Sequence, residues 1–146
     1  MSNSRGVKTV EYLVYLIFLA SGKGASTYGY GELLCGDSGQ QGKPCNAEAR
    51  TASGMLLKEH LPIVAIAIKE GRRLPKGITL RVRINEGPCI KVLLADKKNE
   101  RYKETQPWDV TPAVLKLAGI GPSPTWSGKL DLCSVHLKDG RSFFNH

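Results

Sequence analysis

Two groups of residues in this chain have types and spacings that bear on chemistry: its cysteines, and a few carboxylates set in turns or at the ends of apolar runs. The cysteines are Cys35, Cys45, Cys89 and Cys133. No two have the Cys-x-x-Cys spacing of a zinc clasp, and no metal site is expected. An even number of cysteines in a small, loop-rich chain suits two disulfides and an oxidising compartment; four buried thiols are the plainer alternative. Three pairings are open. Cys35–Cys45 is favoured because it would close the Gly- and Gln-rich loop between them, which leaves Cys89–Cys133. Among the carboxylates, Asp109 directly follows Trp108, and an apolar neighbour raises a carboxyl pKa. Asp109 also precedes Thr111-Pro112, which reads as a helix N-cap with proline at the first helical position. It could therefore serve the free N–H groups of that helix instead. Glu86 lies in the turn Asn85-Glu86-Gly87-Pro88, where a solvated role is the simplest. His60 reads as a surface residue.

The elements that must position these residues are mostly short strands. Ala25–Tyr30 reads as a strand with Tyr28 and Tyr30 on one side. Ile63–Ile68 is a continuous apolar, β-branched run, the pattern of a buried strand. Ile78–Ile84 alternates strictly, with Ile78, Leu80, Val82 and Ile84 on one face and Thr79, Arg81 and Arg83 on the other. Cys89–Ala95 and Leu130–Leu137 are further strands, and Asp96–Thr105 is a charged excursion. Helix is expected over Ala113–Ala118, ended by Gly119, with shorter helical pieces at Asn46–Arg50 and Met55–His60. The fold class is mainly β, six strands with one or two short helices, which fits a small closed β-barrel.

The chain length of 146 residues fits one domain with a modest core. Its formal net charge of +8, from 21 Lys+Arg against 13 Asp+Glu, favours a polyanionic partner: nucleic acid, anionic lipid or an anionic wall polymer. The basic residues are scattered, with local concentrations at Lys69–Arg73, Arg81–Arg83 and Lys97–Lys103, and no nucleic-acid recognition motif accompanies them. Residues 1–24 form an apolar N-terminal segment distinct from a domain over 25–146. Arg5 and Lys8, then the apolar run Tyr12–Ala20, then small residues follow the order of a secretory signal peptide. Glu11 interrupts that order, and Tyr12, Val14, Tyr15, Ile17 and Phe18 also suit a buried strand, or an assembly contact of strand or helix.

Taken in order, the segments resemble a double-psi β-barrel. The pieces that carry the likeness are Ser26-Thr27-Tyr28-Gly29, Cys35-Gly36, Thr51-Ala52-Ser53-Gly54 and Val64-Ala65-Ile66-Ala67. They continue with Leu74-Pro75-Lys76-Gly77, Arg81-Val82-Arg83-Ile84-Asn85-Glu86-Gly87-Pro88 and Asp109-Val110-Thr111-Pro112. No piece is specific alone; their order, from about Ala25 to Leu137, is the signal. The pattern is similar to rare lipoprotein A-like domains, to the 3D domain of some lytic transglycosylases, and to expansins. The resemblance implies a groove for a glycan strand and, in enzymatic members, an acidic residue that cleaves the peptidoglycan backbone without water. A general acid protonates the glycosidic oxygen as the bond breaks, and the sugar's own hydroxyl then attacks, so a second carboxylate is not obligatory.

On this resemblance Asp109 is the general acid. Glu86, where the family usually has Asp, would orient substrate or share a proton, with Asn85 beside it as a substrate contact. Tyr28, Tyr30, Trp108 and Trp126 are candidates to stack on sugar faces. Two departures stand out. The His that the rare lipoprotein A pattern places before Leu-Pro-x-Gly, and the Asp that the 3D pattern places after the buried strand, are both missing from Ala67-Ile68-Lys69. The stretch from Pro88 to Asp109 is also longer than the family's, and Asp96 fits the usual spacing better; Asp109 is preferred because a helix follows it.

Three functions are open on these grounds: a murein lytic transglycosylase, a non-catalytic wall-binding or expansin-like module, and a structural component of a larger assembly such as a bacteriophage tail or virion. The partners expected are peptidoglycan strands or other subunits. No cofactor is expected, and the location would be exported (periplasm, envelope or extracellular) or a virion.

Overall fold

The computed structural model describes residues 4–28, 51–53, 61–69, 71–121, 123 and 125–144. Helix α1 (Ser4–Ala20) leads into strand β1 (Lys23–Thr27). There follow β2 (Ile63–Ala67), β3 (Ile78–Ile84), β4 (Cys89–Lys98), a 3-10 turn (Glu100–Tyr102), β5 (Trp108–Val110), α2 (Pro112–Leu117), β6 (Ser127–His136) and β7 (Ser142–Phe144). The protein is mainly β; among the described residues there are one mixed seven-stranded sheet and two helices. Tyr30, Cys35, Cys45, the Asn46–Arg50 and Met55–His60 pieces and His60 itself lie outside the described residues.

The strand order β1-β5-β2-β4-β3-β6 returns on itself, because β6 also pairs with β1. The hydrogen bonds of six strands thus run in a ring, and β7 adds to the outside of β6. β1–β5 and β2–β4 are parallel; the remaining pairs are antiparallel. Side chains from one face of the ring fill the main core, among them Val64, Ile66, Leu80, Val82, Val92, Leu94, Trp108, Val110 and Leu130. The expected strands at 63–68 and 78–84 are present, and β3 shows the strict burial alternation that its sequence demands. The seventh strand was not expected: the Asp139-Gly140 turn returns Ser142–Phe144 along β6.

Of the strand and helix readings of the N-terminal run, the structure takes the helix. Leu13, Leu16, Ile17 and Ala20, spaced as one helical stripe, are buried in the same core as the strands, with Val14 beside them. Glu11, Tyr15 and Leu19 recur every fourth residue on the opposite, exposed face. An alternating strand would have left Leu13 or Val14 in water. No helix among the described residues is long and apolar enough to cross a membrane.

The β3–β4 hairpin turns through Asn85 (φ 48°) and Glu86 (φ 66°), both left-handed, and the Gly87 N–H donates to the Ile84 carbonyl at 2.9 Å. Two successive positive φ values make the primed turn that suits strand twist. Cys89 and Cys133 form a disulfide with Cα atoms 6.3 Å apart. The bond fits an oxidising location. It joins β4 to β6 across β3, which lies between them.

Candidate active site

A parallel and an antiparallel ladder meet on β2, and Ala65 is paired from both sides: to Asp109 on β5 and to Asp96 on β4. Asp109 is paired in turn with Ser26 on β1. Residues directly opposite one another share a face of a sheet. Ser26, Asp109, Ala65 and Asp96 therefore form one row on the outside of the ring. Ala65 also belongs to a small apolar cluster with Tyr28, Ile63 and Ala95, separate from the main core.

Asp96 joins this row only because β4 carries a bulge. The register jumps from Val64–Leu94 to Ala65–Asp96, leaving Ala95 as the extra residue. Without it, strict alternation from Val92 and Leu94 would turn Asp96 and Lys98 into the main core. A bulge re-aims the side chains after it, and here it brings an acid and a lysine to the outer face.

Around Asp109 the geometry is close. The Ser26 hydroxyl donates to Asp109 Oδ1 at 2.6 Å, and Lys98 Nζ stands 3.1 Å from the same oxygen. Lys98 Nζ also reaches Ser26 Oγ at 3.2 Å and the carbonyls of Gln106 (2.8 Å) and Trp108 (3.4 Å), and lies 4.6 Å from the Tyr102 ring centroid. The two side chains of the ion pair are only 8% and 16% exposed. Asp109 Oδ2 has no hydrogen-bond partner among the described residues. Burial pushes the Asp109 carboxyl above the ordinary aspartate value, and the charge of Asp96 adds to the rise; the Ser26 hydrogen bond and the Lys98 ammonium oppose it without cancelling it.

Asp96 is held by other donors. Tyr28 Oη donates to its Oδ2 at 2.7 Å, and the N–H groups of Ala52 and Lys97 donate to its Oδ1 at 2.9 Å each. Tyr28, expected as a sugar platform, is buried, and its hydroxyl positions Asp96.

The other expected site residues fall elsewhere. Trp108 precedes Asp109 in sequence, but neighbours on a strand point to opposite faces. Its ring is wholly buried in the main core, and its indole N–H donates to the Ala20 carbonyl at 2.9 Å. It presents no face to a sugar; its buried ring instead ties the end of α1 to β5. Asn85 Oδ1 accepts from the Lys129 N–H at 2.9 Å, fixing the β3–β4 turn to β6. Trp126 covers Gly128, where an added Cβ would lie 2.5 Å from its ring. Glu86 lines a separate cleft of 620 Å³, with Phe18, Arg83, Lys129, Asp131 and the disulfide. Nor does Asp109 serve the N-terminus of α2. Thr111 holds the cap position, but its hydroxyl donates to the Leu61 carbonyl at 2.5 Å and accepts from the Ile63 N–H at 3.1 Å.

Ser26 and Lys98 are the site residues that the sequence did not single out. Ser26 was visible only as part of the Ser-Thr-Tyr-Gly piece, and Lys98 only as one charge in a basic stretch. The available signal was the spacing of Asp96 and Lys98, two apart and so on one face of a strand. Among the described residues no cluster of His, Cys, Asp or Glu could hold a metal ion.

The chain matches no protein-family model, and no curated protein matches it.

Proposed function

We propose that this is an exported, glycan-directed domain of the double-psi type, and that Asp109 protonates the glycosidic oxygen of a murein strand. The mixed six-strand ring supports the fold reading: β5 is inserted between β1 and β2, although β1 and β2 precede it in sequence. The observation that carries the chemical reading is the state of Asp109: a largely but not fully buried carboxyl whose pKa is raised, with Oδ1 held by Ser26 and Lys98 and Oδ2 free of partners among the described residues.

In this reading the proton passes from Asp109 Oδ2 to the bridging oxygen as the bond to the anomeric carbon breaks. The sugar's own hydroxyl closes on that carbon and returns its proton to Asp109, so no water is consumed. Lys98 and Ser26 stabilise the carboxylate that exists between the two transfers, already oriented and partly desolvated. Burial raises the Asp109 pKa, and the charge of Asp96, whose strand is roughly 10 Å away across β2, adds to the rise.

The second reading is a non-catalytic wall-binding or expansin-like module. The 3.1 Å Lys98–Asp109 contact favours it, because an ammonium so close opposes protonation, as does the missing His or Asp before Leu74-Pro75.

Digestion of purified peptidoglycan sacculi, with mass spectrometry of the soluble products, separates the two. The lytic reading expects anhydro-muropeptides from the protein and none from Asp109→Asn. Sedimentation with sacculi and no released products from either protein would leave the binding module as the answer.

A further inference from the structure

The ring has a second outward face with a different character. β3 lies three strands from β5 in either direction, so its outer side chains stand on the opposite side of the ring from Asp109. That face carries Arg81 and Arg83 on β3 and Lys91 on β4, all exposed. Arg81 and Lys91 are directly opposite one another in the antiparallel ladder. Like charges so placed repel and destabilise a sheet. Even so, neither has an acidic partner or a hydrogen bond among the described residues. Arg83 Nη2 approaches only the Cys89 sulfur, at 3.5 Å. The nearest acid in register, Asp131, stands opposite Arg83 and is 3.9 Å from Lys129. Three basic residues thus stand at neighbouring positions of one antiparallel ladder, roughly 5–8 Å apart at Cβ, stiffened by a disulfide that crosses β3.

The geometry points to this face as a docking site for a phosphodiester polymer without aromatic bases, of the kind that anionic wall polymers provide. A small anion would need an enclosing cradle, which an open ladder does not supply. A polymer with repeated charges gains affinity here by displacing counterions along its length, and the Arg81 guanidinium can take a phosphate with two parallel donors. The excess of basic over acidic residues in the whole chain adds long-range attraction. Nucleic acid has the same charge, but a flexible strand also needs ring platforms for its bases. Among the described side chains that share the outer face with Arg81 there is no tyrosine or tryptophan, and the His136 ring, opposite Thr79, has both nitrogens held by the Ser134 and Ser142 hydroxyls at 2.8 and 2.9 Å. The site is independent of Asp109 and of any cleavage.

The test is binding of the full chain to poly(glycerol phosphate), followed as a function of salt, with single-stranded DNA of similar charge alongside. Arg81→Gln/Lys91→Gln removes the repelling pair, and Lys103→Gln/Lys116→Gln removes the same charge elsewhere, from exposed positions. The expected result is that the first double variant weakens binding about tenfold and flattens the dependence of log affinity on log salt by roughly 1.5, while the second changes little. The proposal is overturned if both double variants lose equally, which would make binding a matter of net charge. It is also overturned if DNA binds as tightly as the glycerol polymer, or if the polymer does not bind.

Discussion

Asp96 and Asp109 are each the register partner of Ala65, from opposite sides of β2, so two acids of the chain share one outward row with a single small residue between them. They are treated differently. Asp96 is satisfied by Tyr28 and two backbone N–H groups, whereas Asp109 is buried against one hydroxyl and one ammonium. The unlike surroundings bear on Asp109, whose carboxyl burial raises above the ordinary aspartate value.

The first prediction concerns pH. The folded-state pKa of Asp109 is raised, and its unfolded value is about 3.9. The unfolded chain therefore ionises first as pH rises, and between the two pKa values the folded state binds the proton more tightly. Relative to Asp109→Asn, the wild-type protein is favoured most below pH ~4 and loses that advantage as pH climbs through the folded pKa. Urea denaturation of both proteins between acid and neutral pH measures the difference. A difference that runs the other way would mean that Lys98 and Ser26 outweigh burial.

Asp96→Asn removes a charge that adds to the rise of the Asp109 pKa. The Asp109 pKa is expected to fall, and any cleavage limited by that proton should lose its activity at lower pH than in the wild type. Carbon NMR titration of the Asp109 carboxyl reads this directly. Tyr28→Phe is the milder companion: it frees Asp96 Oδ2 of its hydroxyl donor while leaving the charge in place. It should shift Asp109 less than Asp96→Asn does.

How far this site could be read from the sequence depends on which face its residues occupy. β2 is legible because both its faces are buried and β3 because one of its faces is, and burial writes itself into hydrophobic runs and alternation. The apolar pattern of β4 ends at Ala95, yet the strand continues through Asp96, Lys97 and Lys98. Those residues lie on an outer face, where no core constrains their type, and the bulge at Ala95 breaks the period that would have linked them to the strand. Trp108 failed for the complementary reason: adjacency in sequence is opposition on a strand. The pairing of Ser26 with Asp109 joins residues 83 apart, and no local pattern predicts such a contact.

The Cys89–Cys133 bond closes a loop of 44 residues. On the chain-entropy account a loop of that length is worth about 4 kcal/mol. Cys89→Ser/Cys133→Ser should lower the free energy of unfolding by an amount up to this, seen as an earlier urea midpoint. Peptide mapping under non-reducing conditions should recover the two cysteines in one linked fragment. Recovery of Cys89 joined to Cys35 or Cys45 would refute the pairing.

Trp108 offers the last test, of how α1 belongs to the fold. Its ring is completely buried and its N–H is spent on the Ala20 carbonyl, the end of the helix. Trp108→Phe keeps an aromatic ring but removes that donor and leaves a gap where the larger indole was. The expected cost is about 2–3 kcal/mol, from the lost hydrogen bond and the cavity together. If α1 is held as an integral part of the core, through Leu13, Leu16 and Ile17, the variant should unfold in one transition, only earlier. If the Trp108–Ala20 contact is the main tether, α1 should release first. Limited proteolysis would then cut near Ser21 and Gly22 while β1 to β7 stay protected, and amide exchange over residues 9–20 would rise before that of the sheet.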